Sequence, residues 1–118
     1  MTDITMYQTE FLRRAQNLKY QGRSAGKKIE TYNPLCGDRQ NIYLETKDGT
    51  VTNITFEPEG CMVSKVATDL VAENFIGKKV DDIKSATVEH IEELLATKLT
   101  PSRRKCANLG LSAIQDNL

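Results

Sequence analysis

Asp48-Gly49 lies between two segments, Asn41–Thr46 and Val51–Phe56, whose apolar and polar residues alternate. Alternation at every second residue describes a strand with two unlike faces. Both turn residues tolerate positive φ, so the stretch predicts a tight antiparallel hairpin. In the first strand Ile42 and Leu44 alternate with Tyr43 and Glu45; in the second, Ile54 and Phe56 are expected on the face opposite Val51. A weaker strand, Lys28–Tyr32, precedes them and is limited by Pro34. Three short consecutive strands predict an antiparallel sheet.

After Gly60-Cys61 the period changes. Val63, Val66, Ala67, Leu70 and Val71 recur at helical spacing, which predicts a helix from Cys61 to about Phe75 that stops at Gly77. A short helix is expected near Val80–Ile83, another over Val88–Leu99 with Pro101 as its breaker, and a last one carrying Cys106, Leu109, Ala113 and Ile114. Ahead of the strands, Tyr7, Phe11, Ala15 and Leu18 mark a helix that Gly22 should end. The order predicts an α+β fold, a three-stranded antiparallel sheet packed by N-terminal and C-terminal helices in a single domain over residues 1–118.

Charge and cysteine content narrow the function. Lys+Arg 16 against Asp+Glu 16 gives no net charge, which argues against nucleic-acid binding through a global basic surface. No apolar run reaches the roughly 18 residues of a membrane span, and the N-terminus lacks the pattern of a signal peptide. Three cysteines, none in a C-x-x-C pair, disfavour a disulfide framework; reduced thiols and a cytoplasmic location are expected.

Each cysteine sits in a setting suited to a thiolate. Cys36 lies in a Pro/Gly turn with Asp38 two residues on, Cys61 follows Gly60 at a helix start, and Cys106 follows Arg103-Arg104-Lys105. Helix N-termini and nearby cations both lower a thiol pKa. With Asp38, the chain offers three sulfurs and one oxygen to a metal, enough for tetrahedral zinc or for an iron–sulfur cluster. Plain structural roles stand beside these: Asp38 capping a turn, Cys61 and Cys106 as core residues, Lys105 as a solvated side chain. Cations at the start of the Cys106 helix oppose its dipole unless an anion is near, and a thiolate or anionic cluster would supply one. Ser64 is expected to hydrogen-bond locally, His90 to be a surface residue, and Lys27-Lys28 and Lys78-Lys79 to be solvated.

Three stretches carry a family resemblance: Asn33-Pro34-x-Cys36-Gly37-Asp38, Gly60-Cys61-x-x-Ser64 and Pro101-x-Arg103-x-Lys105-Cys106-Ala107-x-Leu109. They resemble the iron–sulfur cluster assembly scaffolds of the IscU, SufU and NifU N-terminal type, from Tyr7 to the last helix. The resemblance implies that Cys36, Asp38, Cys61 and Cys106 bind Zn²⁺ or a transient [2Fe–2S] cluster. It also implies that one of these cysteines accepts sulfur from a cysteine desulfurase; Cys106 is the expected acceptor, with Lys105 a candidate modulator. Implied partners are that desulfurase, an iron or electron donor, apo iron–sulfur acceptor proteins and, as a further expectation, a second copy of the chain. Two activities follow: a scaffold for cluster assembly and transfer, or a zinc-dependent sulfur acceptor. A structural zinc module is a third class. Lys105 stands where the IscU branch has histidine, as in SufU, yet the SufU insertion between the second and third cysteines is missing. Leu99-Thr100-Pro101-Ser102-Arg103 differs from the Leu-Pro-Pro-Val-Lys of the IscU branch, and Asn17-Leu18-Lys19-Tyr20 from the family's Asn-Pro-Arg-Asn.

Overall fold

The computed structural model describes residues 11–34, 37–96 and 98–118. Asp48 (φ 52°) and Gly49 (φ 76°) both occupy the left-handed region, and the tight turn they form joins strands β2 (Asp38–Lys47) and β3 (Thr50–Glu59). Strand β1 (Lys27–Asn33) pairs with the other edge of β2, so the sheet runs β1-β2-β3 with both pairings antiparallel. The expected strands are all present and longer than the alternation suggested. The extension of β2 back to Asp38 places that residue on the sheet.

One expectation about the strands is overturned. Val51 is not on the face opposite Ile54 and Phe56; all three are fully buried in one core. Glu45 faces Asn53 and Thr46 faces Val51, so Thr52 is an extra residue in β3. An inserted residue reverses the alternation beyond it, because strand side chains have a period of two.

Four helices follow: α1 (Met62–Phe75), α2 (Val80–Lys84), α3 (Val88–Leu95) and α4 (Pro101–Asp116). Residues 11–16 are also helical, while Tyr7 of the predicted N-terminal helix lies outside the described residues. Helix α1 packs on β3, α4 packs on β1 and β2, and the two helices pack on each other. Ile42, Leu44, Ile54 and Phe56 of the sheet meet Val63, Ala67 and Val71 of α1 and Ala107, Leu111 and Ile114 of α4. Full burial of such side chains stabilises by about 1.5–3 kcal/mol each, against at most about 1 kcal/mol for an exposed pair like Lys28–Glu30. Core packing therefore decides where α1 and α4 sit.

Two helix ends differ from expectation. Helix α3 stops at Leu95 rather than Leu99, because Ala96 turns left-handed (φ 58°) and its N–H closes onto the Glu92 and Glu93 carbonyls. Gly22 does not end the first helix. Its N–H donates to the Phe56 carbonyl at 2.8 Å and the Phe56 N–H to that of Tyr20 at 3.0 Å, so this segment lines the β3 edge. The segment is fixed to α1 by buried Asp69, which accepts from Tyr20 N–H (2.9 Å) and pairs with Arg14 (2.8 Å).

Helices α1 and α4 approach tightly at Gly110, where an added Cβ would collide with the Thr68 hydroxyl and lie 3.0 Å from Thr68 Cγ2. Gly110→Ala raises helix propensity by about 1 kcal/mol, but overpacking a rigid β-branched neighbour costs about 1–3 kcal/mol. The variant is expected to be less stable than the parent in urea denaturation; equal or greater stability would show that the helices separate freely.

Candidate metal centre

Three elements bring one donor each to the same place. Asp38 opens β2 on its core-facing row, followed at two-residue intervals by Gln40, Ile42 and Leu44, all buried. Cys61 is the N-cap of α1 and is half-buried. Cys106 lies in the second turn of α4 and is 3% exposed. Their donor atoms, two Sγ and a carboxylate oxygen, all lie within 4.8 Å of one another. A tetrahedral ion with bonds of about 2.3 Å to sulfur places neighbouring sulfurs about 3.8 Å apart, so the two thiols need to close by no more than about 1 Å. The donor set fits zinc or iron. Cys36, two residues before Asp38 in sequence, lies outside the described residues.

Asp38 does more than face the thiols. Its Oδ1 accepts the Cys61 N–H at 2.8 Å, and its Oδ2 is 3.5 Å from the Cys61 thiol. Helix α1 has no acidic residue in its first turn and no side-chain cap, so this carboxylate from β2 supplies the negative charge favoured at a helix start. The approach demands a glycine at position 60. Its φ is 125°, and an added Cβ would collide with Asp38 Oδ1.

A buried polar chain backs the centre. Gln40 is fully buried; its Nε2 donates to the Ser64 carbonyl (3.1 Å) and its Oε1 accepts from the Thr68 hydroxyl (2.9 Å). Ser64 Oγ donates in turn to the Cys61 carbonyl (3.1 Å), the local bond expected of it. Sequence reasoning passed over Gln40, Thr68 and Gly110. The available signal was a glutamine in step with Asp38, Ile42 and Leu44 on a core-facing row.

The cations before Cys106 are only partly as expected. Cys106 is not in the first turn of α4, which begins at Pro101 behind the Thr100 cap. Part of the anionic partner needed at that helix start is on α3: Arg104 binds Glu89 (2.9 Å) and Glu92 (3.4 Å). Lys105 is exposed beside a shallow cleft shared with Thr31, Asn108 and Asp116. His90 is half-buried against Asn74 and Phe75 and does not join the donor group. Lys27, Lys28, Lys78 and Lys79 are exposed as expected. No described helix is long and apolar enough to cross a membrane.

Comparison with known proteins identifies the family and the fold. The family model for the NifU-like N terminal domain matches residues 6–118. The iron–sulfur cluster assembly scaffold protein IscU of Thermotoga maritima is 33% identical over 91 residues, covering 75% of this chain and 63% of that protein. The zinc-dependent sulfurtransferase SufU of Bacillus subtilis is 25% identical over 104 residues, covering 74% of this chain and 71% of that protein. A crystal structure of a NifU-like protein (N-terminal) from Brucella abortus shares the fold with a TM-score of 0.74. That match covers 93% of this chain and 90% of the other at 21% identity.

The Asp38–Cys61 bond makes a prediction for the metal-free protein. Asp38→Ala leaves the Cys61 N–H without its acceptor and is expected to cost about 1–3 kcal/mol, whereas Asp38→Asn keeps an acceptor oxygen and should stay within about 1 kcal/mol of the parent. Equal losses in urea denaturation would show that the hydrogen bond contributes nothing. A second prediction concerns acid. The Glu89 carboxyl is held below the usual carboxylate range by its own backbone N–H, then by Arg104 and Thr87. Its stabilising contribution is complete above the unfolded value of about 4.3 and is lost as pH falls through the lower folded value. Glu89→Gln should flatten the loss of stability below about pH 4.3; an unchanged acid slope would remove the charge from this role.

Proposed function

The chain belongs to the NifU-like N terminal domain family, and on that premise we propose that it is a scaffold on which a [2Fe–2S] cluster is assembled and passed on. The observation that carries this reading is the convergence of Asp38, Cys61 and Cys106 within 4.8 Å from three separate elements. Cys36, adjacent in sequence, completes the proposed ligand set. Thiolates suit iron and sulfide, while a carboxylate is a harder donor. One carboxylate among thiolates makes the site easier to leave than four cysteines would, as a carrier requires.

Sulfur is proposed to arrive as a persulfide on a cysteine desulfurase. The Cys106 thiolate attacks the outer sulfur, forming a persulfide on Cys106 and releasing the desulfurase thiolate. Each sulfane sulfur then takes up two electrons from an electron donor to become sulfide, and ferrous iron is held by Cys36, Asp38, Cys61 and Cys106. Of the two described thiols Cys61 is the more exposed, so sulfur delivery to Cys106 requires the start of α4 to open. Lys105, next to Cys106 in the chain and exposed, is the proposed modulator of this step. The finished cluster passes to apo iron–sulfur proteins. The reading places the protein in the cytoplasm as one domain, able to meet a second copy of itself.

A second reading is a zinc-dependent sulfur acceptor that never holds a cluster, favoured by the SufU likeness and by Lys105. Bound zinc would supply charge that keeps the thiols deprotonated. Asp38, Cys61 and Cys106 would hold it, with Cys36 as the fourth ligand.

Anaerobic incubation with a cysteine desulfurase, cysteine, ferrous iron and reductant separates the two. Visible and Mössbauer spectra of a [2Fe–2S] cluster that moves to an apo-ferredoxin are expected, with the 32 Da sulfur adduct on the Cys106 peptide. Tightly held zinc and a Cys106 persulfide without a cluster would establish the second reading instead.

A further inference from the structure

We infer that Gln40 is a positioning residue for this centre, holding the strand of Asp38 and the helices of Cys61 and Cys106 at one mutual spacing. The inference deepens the proposed metal-binding role and rests on it. Gln40 is two residues from Asp38 on the same face of β2 and is fully buried. Its amide grips α1 twice, at the Ser64 carbonyl and the Thr68 hydroxyl. Thr68 is in turn the residue against which α4 closes at Gly110, one helical turn beyond Cys106. A single side chain therefore touches the strand and one helix directly and the other helix through Thr68.

An apolar residue of similar volume would fill this space without burying an amide. Burying a polar group costs free energy unless it is hydrogen-bonded, and here both ends of the amide are. What the amide adds is direction. Apolar contact lets a helix slide over a sheet, whereas a hydrogen bond fixes separation to a few tenths of an ångström. The bond at Ser64 sits one turn from Cys61, and Ser64 Oγ binds the Cys61 carbonyl itself. The register of the Cys61 thiol is thus tied to the strand that bears Asp38.

Gln40→Leu, Thr68→Val and Thr68→Ser test this with two probes. The first probe is cobalt(II) binding followed by its thiolate and d–d absorption. The second, in a Cys36→Ser background without metal, is the rate at which diamide oxidises Cys61 and Cys106 to a disulfide, the diamide being reduced to its hydrazine. Gln40→Leu and Thr68→Val are expected to weaken cobalt binding about tenfold, to shift the d–d bands and to slow disulfide closure, while Thr68→Ser behaves as the parent. Thr68→Val is near-isosteric and keeps the assay informative if Gln40→Leu folds poorly. Lower melting temperatures with unchanged cobalt spectra and unchanged closure rates would assign Gln40 to packing alone and overturn the inference. If the parent binds no cobalt but closure still depends on Gln40, the metal-binding reading fails and the positioning role stands.

Discussion

The hydrogen bond between the Asp38 carboxylate and the Cys61 N–H joins the first residue of β2 to the N-cap of α1. It supplies the charge that the start of α1 lacks, requires glycine at position 60 and brings Asp38 Oδ2 to the Cys61 thiol. A buried carboxylate is costly unless bonded, so the interaction that stabilises the helix start also keeps an oxygen ligand beside sulfur. Structural and chemical roles are carried by the two oxygens of one group.

The rest of the molecule holds α1 and α4 against the sheet so that this meeting persists. Apolar packing of Ile42, Ile54, Phe56, Val71 and Leu111 provides the energy, and the buried Gln40, Ser64 and Thr68 provide the alignment. Charges at the edges are arranged to match. Arg104 spans to Glu89 and Glu92, while Glu92 also accepts the Leu99 N–H at 2.7 Å, so the short link between α3 and α4 is pinned on both sides. This relieves part of the unfavourable placement of cations at the start of α4 and leaves the thiol of Cys106 on the core side.

Much of this was legible in the residues. The Asp48-Gly49 hairpin, the change of period at Cys61 and the apolar stripe from Val63 to Val71 are local signals, and local sterics carried them into the structure. Failures occurred where a contact with another strand, or a left-handed residue, prevailed over the local pattern. Thr52 enters β3 as a bulge and moves Val51 to the core side; Gly22 is taken up by the β3 edge instead of capping a helix; Ala96 ends α3 early. In the candidate site, Asp38, Cys61 and Cys106 were recognisable from their neighbours, but Gln40 was not, because a glutamine in a strand is ordinarily a solvated residue.

From the sequence alone came the α+β order of elements, the identity of the donor groups and the family to which their settings belong. The first two follow from backbone preference and side-chain chemistry, which each short stretch carries by itself, and the family from the resemblance of three such stretches. That donors far apart in the chain come within 4.8 Å, that Asp38 binds the Cys61 N–H, and that Glu89 and Glu92 pair with Arg104 was decided by tertiary structure. These distances depend on how α1 and α4 settle on the sheet, and that is set by the whole core at once.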